Sequence, residues 1–255
     1  MCLIVFARQR HPQYPLILVS NRDEFYARPT QTAHYWPDTE PVIVAGKDLQ
    51  AGGTWLGARA DGYWTAITNY RDLQNIKPNA PSRGDLTANY LRLTHPQPQQ
   101  YLQALSSQAQ QYNGFNLLVS DGEDIFYLSN YAQEVRRLPM QGVFGLSNHL
   151  LDTPWHKVAR AKALLEQQLN QGDCSPDSLL DMFRDTQLPS QETDIQQTGL
   201  PLDKERMLAP MFIQSPDYGT TISTVLLQDT AGRLTLVERS YQRETGQYSQ
   251  QYFKL

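Results

Sequence analysis

A chain of 255 residues, 40% of them hydrophobic, is long enough to close one substantial core, and a single domain over 1–255 is expected. Charged residues make up 19% and the formal net charge is -4, which leaves no basic surplus for a phosphate backbone and excludes nucleic acid as a partner. No apolar run approaches the roughly 18 to 20 residues that span a bilayer, and the apolar start has no basic region before it, so no transmembrane segment or leader is expected and the chain is assigned to the cytoplasm.

In chain order, apolar strands are predicted over 3–7 and 16–20, joined as a hairpin through a polar turn with Pro12 and Pro15. Strands over 55–60 and 63–68 flank Asp61-Gly62, the dipeptide that supplies the positive φ of a tight turn. Leu86, Tyr90 and Leu93, then Tyr101, Leu102, Leu105 and Tyr112, recur at helical spacing and predict two helices. Strands return over 115–120 and 125–129 around Asp121-Gly122, and again over 143–146. Pro154 opens a helix with Val158, Ala161, Leu164, Leu165 and Leu169 on one face, ended by Gly172. Residues 185–218 have weak periodicity and exceed a routine connection, which leaves a lid or an exposed excursion. Strands over 220–228, 234–240 and 248–253 close the chain, and the whole pattern predicts an α+β domain with helices on the outer faces of antiparallel sheets.

Cys2 carries the most chemistry. Removal of Met1 would leave its thiol beside a free α-amine, whose ordinary pKa near ~7.7 to 8.0 lets it take the thiol proton at neutral pH. The alternative is a small apolar residue that starts a strand. Asn21-Arg22-Asp23-Glu24 follow the second strand directly and, in a hairpin with the first, face the start of the chain. There a cation favours thiolate and a carboxylate orients the α-ammonium, or the four form a solvated turn with a local ion pair.

The Met-Cys start, the NRDE tetrad, the run Gly52-Gly53-Thr54-Trp55-Leu56-Gly57, Thr68-Asn69, Gly114-Phe115-Asn116-Leu117-Leu118, and Ser147-Asn148 followed by Leu151-Asp152-Thr153-Pro154-Trp155 together resemble the NRDE family, that of transport and Golgi organisation protein 2. The resemblance implies an N-terminal-nucleophile hydrolase fold, a four-layer αββα sandwich, and an activity that cleaves or transfers an acyl group from an amide or thioester without a cofactor. It implies Cys2 as nucleophile, Asp23 and Arg22 as the amine-positioning and thiol-activating pair, and Asn148 as the donor to a tetrahedral oxyanion, a contact worth typically ~2.7 to 4 kcal/mol. Asn21, Glu24, Trp55, Asn69 and Trp155 are the expected binding residues, Asn69 being the weaker second donor candidate, since it reads first as a strand-end turn residue satisfying local backbone groups. Many relatives carry Tyr-Gly-Thr-Arg where this chain reads Tyr218-Gly219-Thr220-Thr221, so an arginine that balances charge there is missing.

The same resemblance implies a second class of function, intracellular trafficking of haem or an acyl lipid with no hydrolysis. A haem carrier needs an axial ligand or an apolar slot, and His34, His149 and His156 are the candidates, with haem as cargo. The expected partner is therefore a small acyl substrate or haem, and no bound metal is expected otherwise, because paired Cys/His spacings are absent.

Overall fold

The computed structural model describes residues 3–132, 134–243 and 245–255. The first hairpin forms as its periodicity demands: β1 (Leu3–Arg8) pairs antiparallel with β2 (Leu16–Phe25). Alternation then divides their side chains. Leu3, Val5, Ala7, Ile17 and Val19 enter one hydrophobic cluster, whereas Ile4, Phe6, Leu16 and Leu18 enter another. A strand whose two faces are both apolar must be covered on both sides, and that requirement produces the layering.

Six strands form the sheet that contains this hairpin, in the order β10 (Gly142–Leu146), β1, β2, β11 (Tyr218–Gln228), β12 (Leu234–Tyr241), β13 (Tyr248–Lys254). The second sheet runs in sequence order through β3 (Thr30–Tyr35), β4 (Ile43–Asp48), β5 (Leu56–Arg59), β6 (Trp64–Asn69), β7 (Phe115–Ser120), β8 (Ile125–Ser129) and β9 (Arg136–Arg137). All pairings are antiparallel. The β5–β6 turn is the predicted one, with Gly62 at φ 93°, a conformation a side chain would resist.

Helices α1 (Gly84–Arg92) and α2 (Pro98–Ser106) cover the second sheet, touching β5 to β8. The helical pattern ends there, and Tyr112 only follows a 3₁₀ turn over Ala109–Gln111. Helix α3 (His156–Gln171) buries Val158, Ala161 and Leu165 against β1 and β10, and stops at Gly172 in the left-handed conformation. Helix α4 (Pro176–Met182) lies on β11, with the Ser175 hydroxyl capping its Ser178 N–H. The result is the α+β, four-layer αββα sandwich. Strands β3 and β4 escaped the periodicity reading because β3 is an edge strand with only Ala33 buried.

Residues 185–218 prove to be a packed wall rather than an exposed excursion. The stretch contains a 3₁₀ turn over Glu192–Asp194 and helix α5 (Leu202–Met207), and it buries Ile195, Gln196, Glu205, Ala209, Met211 and Ile213. Among the described residues no helix is long and apolar enough to cross a membrane.

Candidate active site

The register of the six-stranded sheet gathers the motif residues at one end. Leu3 lies opposite Asn21, Ile4 opposite Leu146, Asp23 opposite Thr220 and Arg22 opposite Ile222. Arg22, Asp23 and the Ser147-Asn148 pair therefore flank the end at which β1 begins. Cys2 lies outside the described residues.

The NRDE tetrad continues β2 instead of leaving it as a turn, because β11 pairs with it through Phe25 and supplies polar partners. Strand alternation then splits the tetrad between faces. Asn21 and Asp23 point into the helical layer. The Asn21 amide donates to the carbonyls of Phe183 (3.0 Å) and Met211 (2.8 Å) and accepts from the Ser223 hydroxyl (2.5 Å), so its capacity is spent on packing. Asp23 Oδ1 accepts from the Thr220 hydroxyl at 2.7 Å, and its Oδ2 lies 3.8 Å from the buried Lys157 ammonium of α3.

Arg22 and Glu24 point between the sheets. The buried Arg22 guanidinium lies over the Trp55 ring, 4.6 Å from its centroid, with Glu24 at 3.8 Å and Asp48 at 4.0 Å. Burial pushes the Asp48 carboxyl up, but the Arg28 hydrogen bond at 2.8 Å and the N–H groups of Ala51 and Gln50 bring it below its ordinary value. Thr221 sits at a β-bulge between Thr220 and Ile222, accepts from Arg22 Nη1 and donates to the Arg22 carbonyl, both at 3.2 Å. A hydroxyl that locks the Arg22 side chain thus stands where the resemblance places a second arginine. Further along the same space Glu238 of β12 is buried, accepting the Ala33 N–H at 2.5 Å; desolvation raises its pKa to about 7 against the pull of that bond and of Arg22.

Asn148 lines a cavity of about 630 Å³ with Asn69, Arg71, Phe25, Tyr218 and Met207. Its Nδ2 donates to the Asn69 carbonyl at 3.0 Å and its Oδ1 accepts from Arg71 Nη2 at 3.2 Å. Among the described residues the second Nδ2 hydrogen has no acceptor, which is the condition for a donor kept for a developing oxyanion. The Asn69 side chain makes no hydrogen bond among the described residues, and its backbone serves Asn148.

The remaining predicted residues are not all brought here. Trp155 caps α3 and lies behind the cavity, 5.6 Å from the Arg71 guanidinium and 5.7 Å from the His149 ring. The His149 ring lies tilted against Tyr70 with centroids 4.9 Å apart, its Nδ1 meets the Thr153 hydroxyl at 2.9 Å, and burial holds its pKa down. His34 lines a separate cavity of about 390 Å³ with Trp36, and His156 is bonded to the Gln187 carbonyl at 2.9 Å. The three histidines thus do not converge, and among the described residues no group of three or more His, Cys, Asp or Glu could hold a metal.

Four residues absent from the sequence reading matter as much as those in it: Arg71, Lys157, Glu205 and Glu238. Arg71 and Lys157 each stand two residues beyond a motif residue, Asn69 and Trp155. Glu238 had a readable signal, because it follows Leu234 and Leu236 on the inward-facing parity of its strand. Glu205 had none.

Solved structures share this architecture. A Caenorhabditis elegans ortholog of N-acylethanolamine-hydrolyzing acid amidase superposes with a TM-score of 0.51 at 12% identity, covering 89% of this chain and 92% of that one. The conjugated bile acid hydrolase of Clostridium perfringens, as a C2A mutant, gives 0.52 at 7% identity, covering 100% and 96%. These likenesses show an N-terminal-nucleophile-hydrolase-like fold. In sequence, the Transport and Golgi organization protein 2 homologs of Bos taurus and Homo sapiens are each 34% identical over 259 residues, with 94% of this chain and 93% of each relative covered. The Drosophila melanogaster protein of that name is 26% identical over 264 residues, with 94% and 92% covered. With residues 1–243 matching the Transport and Golgi organisation 2 family, the chain belongs to that family.

Proposed function

We propose that the chain is a Cys2-dependent acyl-transfer enzyme that cleaves an amide or thioester. The observation that carries the reading is the register: Leu3, joined to Cys2 by one peptide bond, pairs with Asn21, so Arg22, Asp23 and Asn148 all border the point where the chain enters the sheet. The names of the two structural neighbours, an amidase and a conjugate hydrolase, support the same class.

In this mechanism Met1 is removed and the freed α-amine takes the Cys2 thiol proton. The sulfur attacks the carbonyl carbon, and the oxyanion takes the open N–H of Asn148. Asp23 holds the resulting ammonium, and Arg22 favours the thiolate. Collapse breaks the C–N or C–S bond, the ammonium returns its proton to the leaving amine or thiol, and the acyl group stays on sulfur. Water, deprotonated by the same amine, or an acceptor amine then releases it. No cofactor is required, and a free thiol suits a reducing compartment such as the cytoplasm.

Intact mass of protein purified from its native host tests this directly. The reading expects loss of Met1 and a single acyl adduct after treatment with p-nitrophenyl butyrate, absent in Cys2→Ala. Retained Met1, or equal labelling of Cys2→Ala, rejects it.

The carrier reading uses the same cavity, and what favours it is the apolar lining by Phe25, Leu73, Ile76, Leu200, Met207 and Leu208. If haem is the cargo, His149 is the candidate ligand beside Asn148, and His149→Ala should change the Soret band of added haem. A band unmoved by that substitution rejects His149 ligation.

A further inference from the structure

We propose that Arg71 and Glu205 are positioning residues whose ion pair, with the carboxylate buried and the guanidinium at the cavity edge, sets the orientation of the Asn148 carboxamide and ties the cavity wall around α5 to it. The proposal rests on the acyl-transfer reading, in which Asn148 donates to the oxyanion.

The Asn148 carboxamide is held between an obligate donor and an obligate acceptor. A guanidinium carries N–H groups and no lone pair, whereas a backbone carbonyl has lone pairs and no hydrogen. With Arg71 Nη2 at 3.2 Å on one side and the Asn69 carbonyl at 3.0 Å on the other, only one orientation satisfies both. A flip would set the amide hydrogens against the cation and the amide oxygen against the carbonyl, losing two hydrogen bonds, one of them charge-assisted. The backbone closes the arrangement, because the Arg71 N–H donates to the Asn148 carbonyl at 2.8 Å. The Asn148 oxygen is therefore held by the cation, and one Nδ2 hydrogen is left over.

Arg71 needs an anchor to act this way, since a long side chain free to swing would not select an orientation. Glu205 supplies it. Its Oε2 lies 3.4 Å from Arg71 Nη1, 134 residues away in sequence, and the carboxylate side chain is only 3% exposed. The Trp155 ring limits the guanidinium on another side. The second oxygen, Oε1, accepts the Thr198 N–H and hydroxyl, both at 2.6 Å, and the Leu200 N–H at 3.4 Å, while the Glu205 carbonyl accepts Gln196 Nε2 at 2.6 Å. One carboxylate thus fastens residues 198–200 of the wall and, through Arg71, the oxyanion donor. Leu200 and Lys204 of that wall line the cavity beside Asn148.

The test compares two reactions of the same sulfur. In a Cys174→Ala background, where Cys2 is the sole thiol, p-nitrophenyl butyrate acylates through an oxyanion, whereas iodoacetamide alkylates by displacement at carbon without forming one. Arg71→Met/Glu205→Gln removes both charges together, so no lone buried charge is left to unfold the protein, and Arg71→Lys is a second variant that keeps the charge. The double variant is expected to slow acylation about 10- to 100-fold, short of the roughly 100- to 1,000-fold that full loss of a donor costs, with alkylation changed less than about twofold. Arg71→Lys should lose an intermediate amount. When Asn148 is already alanine, the Arg71/Glu205 change should cost nothing further, since it acts only through Asn148. Additive losses with Asn148→Ala, or equal slowing of both reactions, overturn the proposal. Absence of acylation in the unaltered chain removes the acyl-transfer reading itself.

Discussion

Glu238→Gln isolates one consequence of building a polar cleft between two sheets. The Glu238 carboxyl is buried, accepts the Ala33 N–H across the sheet interface, and has a pKa raised from the ordinary 4.5 to about 7, with desolvation outweighing that bond and the Arg22 charge. At 1.36 kcal/mol per pH unit, the rise corresponds to about 3 kcal/mol between the two protonation states. The folded protein holds the proton more tightly than the unfolded chain, so its stability from this group is fully present below about pH 4.5 and is lost as pH climbs through about 7. Glutamine keeps an oxygen for the Ala33 N–H and never ionises. Urea unfolding of both proteins from pH 4 to 8 should show the unaltered chain losing stability relative to Glu238→Gln by about 1.4 kcal/mol per pH unit between about pH 4.5 and 7 and staying level outside that window, for a total near 3 kcal/mol. Groups common to both proteins cancel in the difference. A difference that does not move with pH would refute the burial argument, and one that moves in the opposite sense would mean that Arg22 dominates.

Asn148→Ala should slow acylation of Cys2 by about 100- to 1,000-fold, measured as the p-nitrophenolate burst. Gly53→Ala should lower Tm by several degrees, because the added carbon would stand 2.2 Å from the Gly84 backbone carbon, where only movement of α1 relieves it; calorimetry checks this against Gly172→Ala, whose carbon meets nothing within 4 Å and whose cost is the strain of φ 75° alone. Lys157→Met should destabilise by about 3 to 5 kcal/mol in denaturant unfolding, since it strips a buried cation from beside Asp23. Lys157→Met/Asp23→Asn should recover most of that loss while leaving Cys2 poorly reactive.

By itself the sequence determined what nearest neighbours along the chain decide. Alternation in 3–7 and 16–20 compelled a hairpin covered on both faces, Asp61-Gly62 compelled its turn, and Gly172 ended α3, because each depends on residues a few positions apart. The motif residues pointed to one cleft for the same reason: pairing two predicted strands brings 21–24 to the chain start without any knowledge of the rest. Only the tertiary structure decided how the tetrad divides, with Arg22 toward Trp55 and Asp23 toward Lys157, since that follows from β11 pairing beyond residue 20 and extending the strand. It also decided that His34 and His156 stand apart from His149, and that a weakly periodic stretch becomes a cavity wall. Arg71 meets Asn148 across 77 residues and Glu205 across 134, contacts that no local pattern encodes. They exist because burial of apolar surface elsewhere brings those elements together, and the buried charges then take the partners that packing has placed within reach.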